Sequence, residues 1–369
     1  MAKKRRFKIL DVVTTPYFTP KGSSMRVDAL LKKLSKNNDV DLLVYPCGED
    51  PKYKNVRIIR LFPNSKMRLG VSEVSIRKMF LDMLMLFKAF GLMIKNKYDI
   101  VHCEDFEAAF VGFILSFFFR KSKYVYDLHN TVEDNLRITR KPEGFIKIAK
   151  KISRTVYSRF DLVITNWDVY RNVSKHKQFL LYDQSNINEK KRDIPTKKKY
   201  LAYAGNFKKY QGVEEFVKVY AKVNPSFDLV LVGNPTEDLK NLVKNLGLNK
   251  KVHLTGLLDV EESNYILTHS EMCLIPRIDG DQPGLKMVHH IMLGKISLAS
   301  DIDANRELLE NKVNSILYSG EEELMKILRD IDSKEYGLKR LEKGIKKTQE
   351  HIQEIWSEEY FNENYFKDE

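Results

Sequence analysis

Apolar residues in this chain fall into short runs that do not alternate with polar ones. FKILDVV at 7–13 opens the series, and runs of the same kind lie at 40–45, 56–61, 100–103, 124–127, 162–165 and 179–181. A strand covered on both faces needs an unbroken apolar run, so the pattern predicts a buried parallel sheet. Helical periodicity separates most of the runs, beginning with 25–36, which follows a loop containing Pro16, Pro20 and Gly22. From residue 200 the alternation restarts, with strands expected at 200–204, 229–232, 252–254, 272–275 and 296–299. Helices are expected there at 213–223, 237–246, 260–268 and 284–293.

Between the two series, DQSNINEKKRDIPTKKK at 183–199 has no apolar periodicity, a charge run and a proline. Such a stretch reads as a linker. The expected organisation is α/β, with two Rossmann-like parallel-sheet domains facing a cleft: residues 1–190, residues 191–349, and a terminal helical segment 350–369. In open α/β sheets ligands bind beyond the carboxyl ends of the strands, so the loops after strands are where site residues are sought.

Four of those loops carry chemistry. In KGSSMRV, the small-residue turn Gly22-Ser23-Ser24 precedes a helix whose free N–H groups can receive an anion, with Arg26 in its first turn. YVYDLHN places His129 just past a strand end, where it could donate a hydrogen bond. YAGNFKKYQG sets Gly205 and Gly212 around Asn206, Lys208, Lys209 and Gln211, a loop able to turn beneath a phosphate. PRIDGDQPGLKMVHH leads from a strand through Asp281 to a helix start at Gly284, Leu285 and Lys286, a cradle for a diphosphate. Asp279-Gly280-Asp281 spells a possible metal motif, but adjacent His289 and His290 point about 100° apart on a helix and chelate poorly together, so no metal is assigned.

Charge changes the picture more than composition does. The 369 residues are 43% hydrophobic and 31% charged, as in a globular protein, with a net charge of +13. Residues 1–200 hold 41 Lys and Arg against 21 Asp and Glu, or +20, and the remainder 22 against 29, or −7. A basic first half calls for an acidic partner: a membrane surface, a phosphorylated ligand or nucleic acid. No nucleic-acid recognition motif accompanies the charge.

Two apolar segments bear on the membrane. FEAAFVGFILSFFF at 106–119 is too short to span a bilayer and reads as a buried helix between strands. IRKMFLDMLMLFKAFGLMIK at 76–95 suits a helix lying on an anionic surface, and equally a core helix with a basic outer face. Cys47, Cys103 and Cys273 are far apart, form no metal or redox motif and read as buried free thiols. A reducing, cytoplasmic setting follows, with no secretory signal read at the N-terminus.

Together, KGSSMRV, YVYDLHN, YAGNFKKYQGVEEF, GDQPGLKMVHHIMLGKISLAS and ANRELLENKVNSILY resemble, in order and spacing, the family-4 (group 1) glycosyltransferases of GT-B architecture. The resemblance spans nearly the whole chain. It implies a retaining transfer of a sugar from a nucleotide-diphosphate donor to a glycan or lipid-linked acceptor, in cell-surface polysaccharide or glycoconjugate synthesis, with no cofactor or metal.

It also implies residue roles. His129 and Asp281 would be catalytic. Gly205, Asn206, Lys208, Lys209, Gln211, Gly284, Leu285, Lys286 and His289 would bind the donor, and Gly22, Ser23, Ser24 and Arg26 the acceptor. Trp356 matches the aromatic with which the family's terminal helix returns to the first domain.

Departures are specific. His289 stands at the signature's second glutamate, Asp281 at its first acid, and Asn206 and Gln211 replace the arginine and lysine of the phosphate loop. Those substitutions are what a second reading would rest on, a non-catalytic glycosyltransferase-like subunit that binds a partner enzyme or acceptor.

Overall fold

The computed structural model of the chain describes residues 5–14, 22–47, 53–62, 76–138, 141–170, 177–278, 283–333 and 338–366. The chain divides into two compact units, Met1–Gln184 with Phe361–Glu369, and Ser185–Tyr360.

In the first unit the apolar runs form seven strands: β1 (Lys8–Val13), β2 (Asp39–Val44), β3 (Val56–Arg60), β4 (Ile100–Glu104), β5 (Lys123–Leu128), β6 (Leu162–Thr165) and β7 (Lys177–Leu180). All pair in parallel, in the order β3-β2-β1-β4-β5-β6-β7. The direction of travel reverses between β1 and β4, which creates a switch point at their carboxyl ends.

The helices are α1 (Gly22–Ser35), α2 (Ile76–Lys95), α3 (Asp105–Phe118), α4 (Val132–Ile138) and α5 (Glu143–Tyr157). Right-handed crossovers put the connections that travel toward β7, namely α2, α3 and α5, on one face of the sheet and α1 on the other. Accordingly α2 packs on α3, and α3 on α5.

One expectation needs correction. The segment at 106–119 does form a helix between strands, but it is buried on one side only. Ala108, Ala109, Gly112 and Ser116 face inward, and a Cβ at Gly112 would lie 2.6 Å from Cys103 Sγ, so small residues let α3 lie close to the sheet. Phe110, Phe117 and Phe118 remain exposed.

The second unit repeats the plan with β8 (Tyr200–Ala204), β9 (Asp228–Val232), β10 (Val252–Gly256), β11 (Met272–Ile275), β12 (Ser297–Ser300) and β13 (Ser315–Tyr318). The order is β10-β9-β8-β11-β12-β13, again all parallel, with the switch point between β8 and β11. Its helices are α6 (Val213–Val223), α7 (Glu237–Asn245), α8 (Val260–Thr268), α9 (Leu285–Met292), α10 (Asp303–Arg306), α11 (Gly320–Asp332) and α12 (Lys339–Ile355). Side chains close two of their starts: Thr236 accepts from the Leu239 N–H and Asp259 from the Glu262 N–H, which satisfies donors a helix leaves open.

A last helix, α13 (Glu358–Tyr365), carries the chain into the first unit. Phe361 meets Phe179 edge-on with ring centres 6.2 Å apart, and Phe366 stacks on Phe7 at 5.1 Å. These aromatics tie the returning chain to the first unit; Trp356, which the resemblance places in that role, is buried just ahead of α13. Cys47, Cys103 and Cys273 are buried free thiols, as expected. The architecture is two Rossmann-like α/β domains.

Candidate functional site

Each switch point carries a set of polar side chains, and the two sets differ in kind. In the first unit, register places Asp11 beside His102 and Glu104 beside Asp127, so four titratable groups from β1, β4 and β5 share one face of the sheet. His129 follows directly after β5. Its Nε2 lies 2.8 Å from Glu104 Oε2 and 3.0 Å from Asp127 Oδ2. His102 joins the same group, with Nε2 3.2 Å from Glu104 Oε1 and Nδ1 2.9 Å from the Tyr365 hydroxyl on α13.

Arg26 is turned inward from α1 rather than out toward an acceptor. Its side chain is 2% exposed and holds Asp127 through two bonds, of 2.7 Å from Nε and 2.5 Å from Nη2. Nη1 donates to the Leu181 carbonyl at 2.7 Å and to Asp183 at 3.0 Å.

Charge in this group follows from those contacts. Burial disfavours an imidazolium at His129, but Asp127 and then Glu104 outweigh it and push the histidine well above its usual range. Burial would likewise raise Asp127, and Arg26 followed by His129 reverses that, holding the carboxylate far below its usual range. Asp11 has no such partner. Among the described residues neither of its oxygens has a hydrogen-bond partner, and burial, only partly offset by nearby His102, pushes it up to about 8.

Ligand atoms of Asp11, His102 and Glu104, and of Glu104, Asp127 and His129, lie within 4.8 Å of one another, as metal ligands can. Glu104 and Asp127 are already shared among two imidazoles and a guanidinium, whereas Asp11 is not.

In the second unit the loop after β8 turns at Gly205, whose φ of +151° suits glycine. A Cβ there would stand 2.8 Å from Lys286 Nζ, so the bare backbone is what admits the lysine. Lys286, in the first turn of α9, donates to Gln211 Oε1 at 2.6 Å and to the Tyr203 hydroxyl at 3.1 Å, and its ammonium lies 4.6 Å from the Tyr203 ring centre. Tyr203 in turn donates to the Asn206 carbonyl at 2.5 Å.

Among the described residues no carboxylate pairs with Lys286. Burial, with Arg277 adding its repulsion, lowers it to about 7. This is a lysine held in place by neutral oxygens.

The remaining candidates take distinct positions. Lys208 and Lys209 are exposed, on and beside a single 3-10 turn. Gly284 caps α9 in an extended conformation and Leu285 begins the helix. His289, one turn on, touches the Ser185 hydroxyl through Nδ1, and burial pushes it down to about 4, so it is neutral. His290 is buried against Ser297 Oγ at 3.0 Å. Gly22, Ser23 and Ser24 form the first turn of α1 rather than a turn ahead of it. Asp281, with Asp279 and Gly280, lies outside the described residues.

A cavity of about 490 Å³ adjoins Gly205, bounded by the ends of β8, β9 and β10 and reaching Gly233, Asn234, Leu257 and Ser263. Sequence reasoning missed Tyr203, Arg277, Asp11 and Glu104. Tyr203 and Glu104 sit inside or at the end of apolar runs, and only their place beside a strand end signals a role.

Residues 184–351 match the model of glycosyl transferases group 1, and residues 20–176 match that of glycosyltransferase family 4. An uncharacterized glycosyltransferase of Methanocaldococcus jannaschii is 25% identical over 350 residues, covering 84% of this chain and 85% of its own. Two solved structures share the fold at low identity. Sucrose-phosphate synthase from Thermosynechococcus elongatus is 18% identical, with a TM-score of 0.71 over 96% of both chains. Anabaena HepE, solved with UDP and glucose, is 17% identical, with a TM-score of 0.68 over 97% of this chain and 98% of that one.

Proposed function

The chain belongs to the group 1 glycosyltransferases, and from that premise we propose that it transfers a sugar, with retention of configuration, from a nucleotide-diphosphate donor to a glycan or lipid-linked acceptor. The enzyme class follows from the family; donor, acceptor and stereochemistry are our reading. The observation that carries it is Lys286, buried at the start of α9 above bare Gly205 and, among the described residues, bonded only to the neutral oxygens of Tyr203 and Gln211.

A buried cation without a counter-charge is costly, and an arriving diphosphate supplies the missing anion. The free N–H groups that open α9 add to the same field. As the sugar departs, negative charge builds on the diphosphate, and donors fixed beforehand stabilise that charge without reorganising. With Lys286 and the helix start in this role, we assign no divalent cation to the reaction. The cavity beside Gly205 accommodates the nucleoside, its glycines letting the backbone come close to the ligand. His289 meets the ribose, in the place where the family has glutamate.

In the first unit we assign His129 to the reacting sugar. Glu104 and Asp127 hold its Nε2, which leaves Nδ1 as the nitrogen for a ligand. A cell-surface polysaccharide or glycoconjugate pathway is the setting that suits such an acceptor.

The test is a panel of UDP-, GDP-, ADP- and CMP-sugars, read by calorimetry and by slow donor hydrolysis. Saturable binding and hydrolysis of one base class are expected, and both should persist in a chelator. Silence across the panel would overturn the donor assignment, and activity only with an added divalent cation would overturn the metal-free one.

A further inference from the structure

We infer that the outer surface formed by α2, α3 and α5 docks the first unit on an anionic lipid bilayer; this rests on the lipid-linked side of the acceptor reading and extends it to a defined face. The three helices form one continuous layer, α2 on α3 and α3 on α5, and all three turn large apolar side chains to solvent. A soluble helix buries its large apolar residues and exposes small or polar ones. α3 departs from that arrangement. Beside Val111 and Leu115 its buried face is alanine, glycine and serine, while the bulkier Phe110, Phe117 and Phe118 face outward, Phe118 at 65% exposure.

The neighbours repeat it. α2 exposes Met79, Phe80, Met83 and Phe87, and at its far end Ile94. α5 exposes Phe145, Ile148 and Ile152, which at spacings of three and four make a single stripe beside its buried one. Of the exposed large hydrophobics among the described residues, more than half lie on this one layer, where a soluble monomer scatters them.

Charge identifies the occupant. On α5 the stripe is flanked by exposed Lys147, Lys150, Lys151 and Arg154, with Glu143 the helix's single acid. On α2 the two ends carry exposed Arg77, Lys88 and Lys95, and the one acid, Asp82, is occupied by the Tyr45 hydroxyl. The acid Glu107 on α3 is paired with Lys78. Apolar side chains ringed by basic ones fit a layer of hydrocarbon beneath anionic headgroups. A second copy of the chain would set two like-charged rings against each other. No helix among the described residues is long and apolar enough to cross a membrane, so this is contact from one side.

The experiment is co-sedimentation of the full chain with vesicles of phosphatidylcholine carrying graded phosphatidylglycerol. Binding should rise with the anionic fraction, fall at high salt, and drop at least ten-fold in a Phe145→Ser/Ile148→Ser/Ile152→Ser variant. Those side chains are exposed, so the melting temperature and nucleotide affinity should stay at wild-type values. Lys147→Gln/Lys150→Gln/Lys151→Gln should weaken binding and flatten its salt dependence. A protein that stays in the supernatant on strongly anionic vesicles at low salt overturns the inference. So does a dimer in light scattering that the serine variant dissolves, since a second copy would then be the occupant. Vesicle binding by a protein that binds no nucleotide sugar leaves this surface standing and removes the donor reading instead.

Discussion

The two switch points come from one βα plan, yet at one the cations face carboxylates and at the other, among the described residues, the lysine does not. In the first unit Arg26 and His129 each face carboxylates, and Asp127 is shared between them. In the second, Lys286 meets a phenol and an amide. A cation already paired organises the protein, whereas one held by neutral dipoles keeps its charge for a ligand. The contrast shows in titration. His129 is pushed well above its usual range by its carboxylates, while Lys286 is lowered to about 7 by burial. In the function proposed above the work is divided accordingly: the first group positions a histidine, and the second receives an anion.

The largest test breaks the first group. Removing one partner of a buried ion pair costs about 3–5 kcal/mol, because it strands the other charge. Arg26→Ala should therefore lower stability by roughly that amount in urea denaturation, since Asp127 would keep only His129. A loss below about 1 kcal/mol would mean that the pair is solvated and that Arg26 is available to a ligand after all.

Lys286→Ala should behave in the opposite way. It removes a buried charge without stranding a charged partner among the described residues, so the melting temperature should hold or change only slightly. Nucleotide-sugar affinity should fall ten-fold or more, as expected for a charge-assisted bond of roughly 1.5–3 kcal/mol. Unchanged affinity in calorimetry would remove Lys286 from the diphosphate site and with it the contrast between the two groups.

How much of this the sequence disclosed depended on the range of each interaction. The helix read at 76–95 has those same bounds, because Leu, Met and Phe recur at its own period. Lys286 and His129 were legible because each lies beside a strand end or helix start, features encoded within a few residues. Arg26 was not: it also opens a helix, but its partners Asp127 and Asp183 are 101 and 157 positions away. Tyr365 meets His102 across 263. β13 was missed because SILY is four residues long and follows a charged stretch. The outward phenylalanines of α3 were missed for a different reason. Their apolar content is uniform, so only packing could tell the inner side from the outer.

A pH series sharpens the comparison further. Free Lys286 titrates near 7, and an anion favours its charged form, so binding raises its pKa. Donor affinity should therefore be greatest below pH 7 and decline as pH rises through it. The slope should approach about ten-fold per unit until the pKa of the bound state is reached. The donor's own diphosphate does not titrate there, so Lys286→Ala should be flat across the same range. An equal slope in wild type and variant would assign the titration to another group.

The smallest effect concerns His289, which stands where the resemblance to the group 1 enzymes implies glutamate. The imidazole is neutral and touches Ser185, and burial keeps it from taking a proton until about pH 4. In the proposed role it would offer the ribose a hydrogen bond without a charge. His289→Glu places a carboxylate three residues after Lys286, on the same side of α9, where such pairs attract. The lysine should then hold its proton to higher pH, and the midpoint of the affinity profile should move upward. Two changes oppose each other in the affinity itself. A carboxylate binds ribose hydroxyls more strongly than imidazole does, but it also repels the diphosphate nearby, so the net gain should be at most a few-fold. Calorimetry at pH 6.5 and 8.5 separates them, since the gain should be larger at the higher pH, where wild-type Lys286 has lost its charge. A variant that unfolds in urea much earlier than wild type would instead make His289 a packing residue, with no part in recognising the donor.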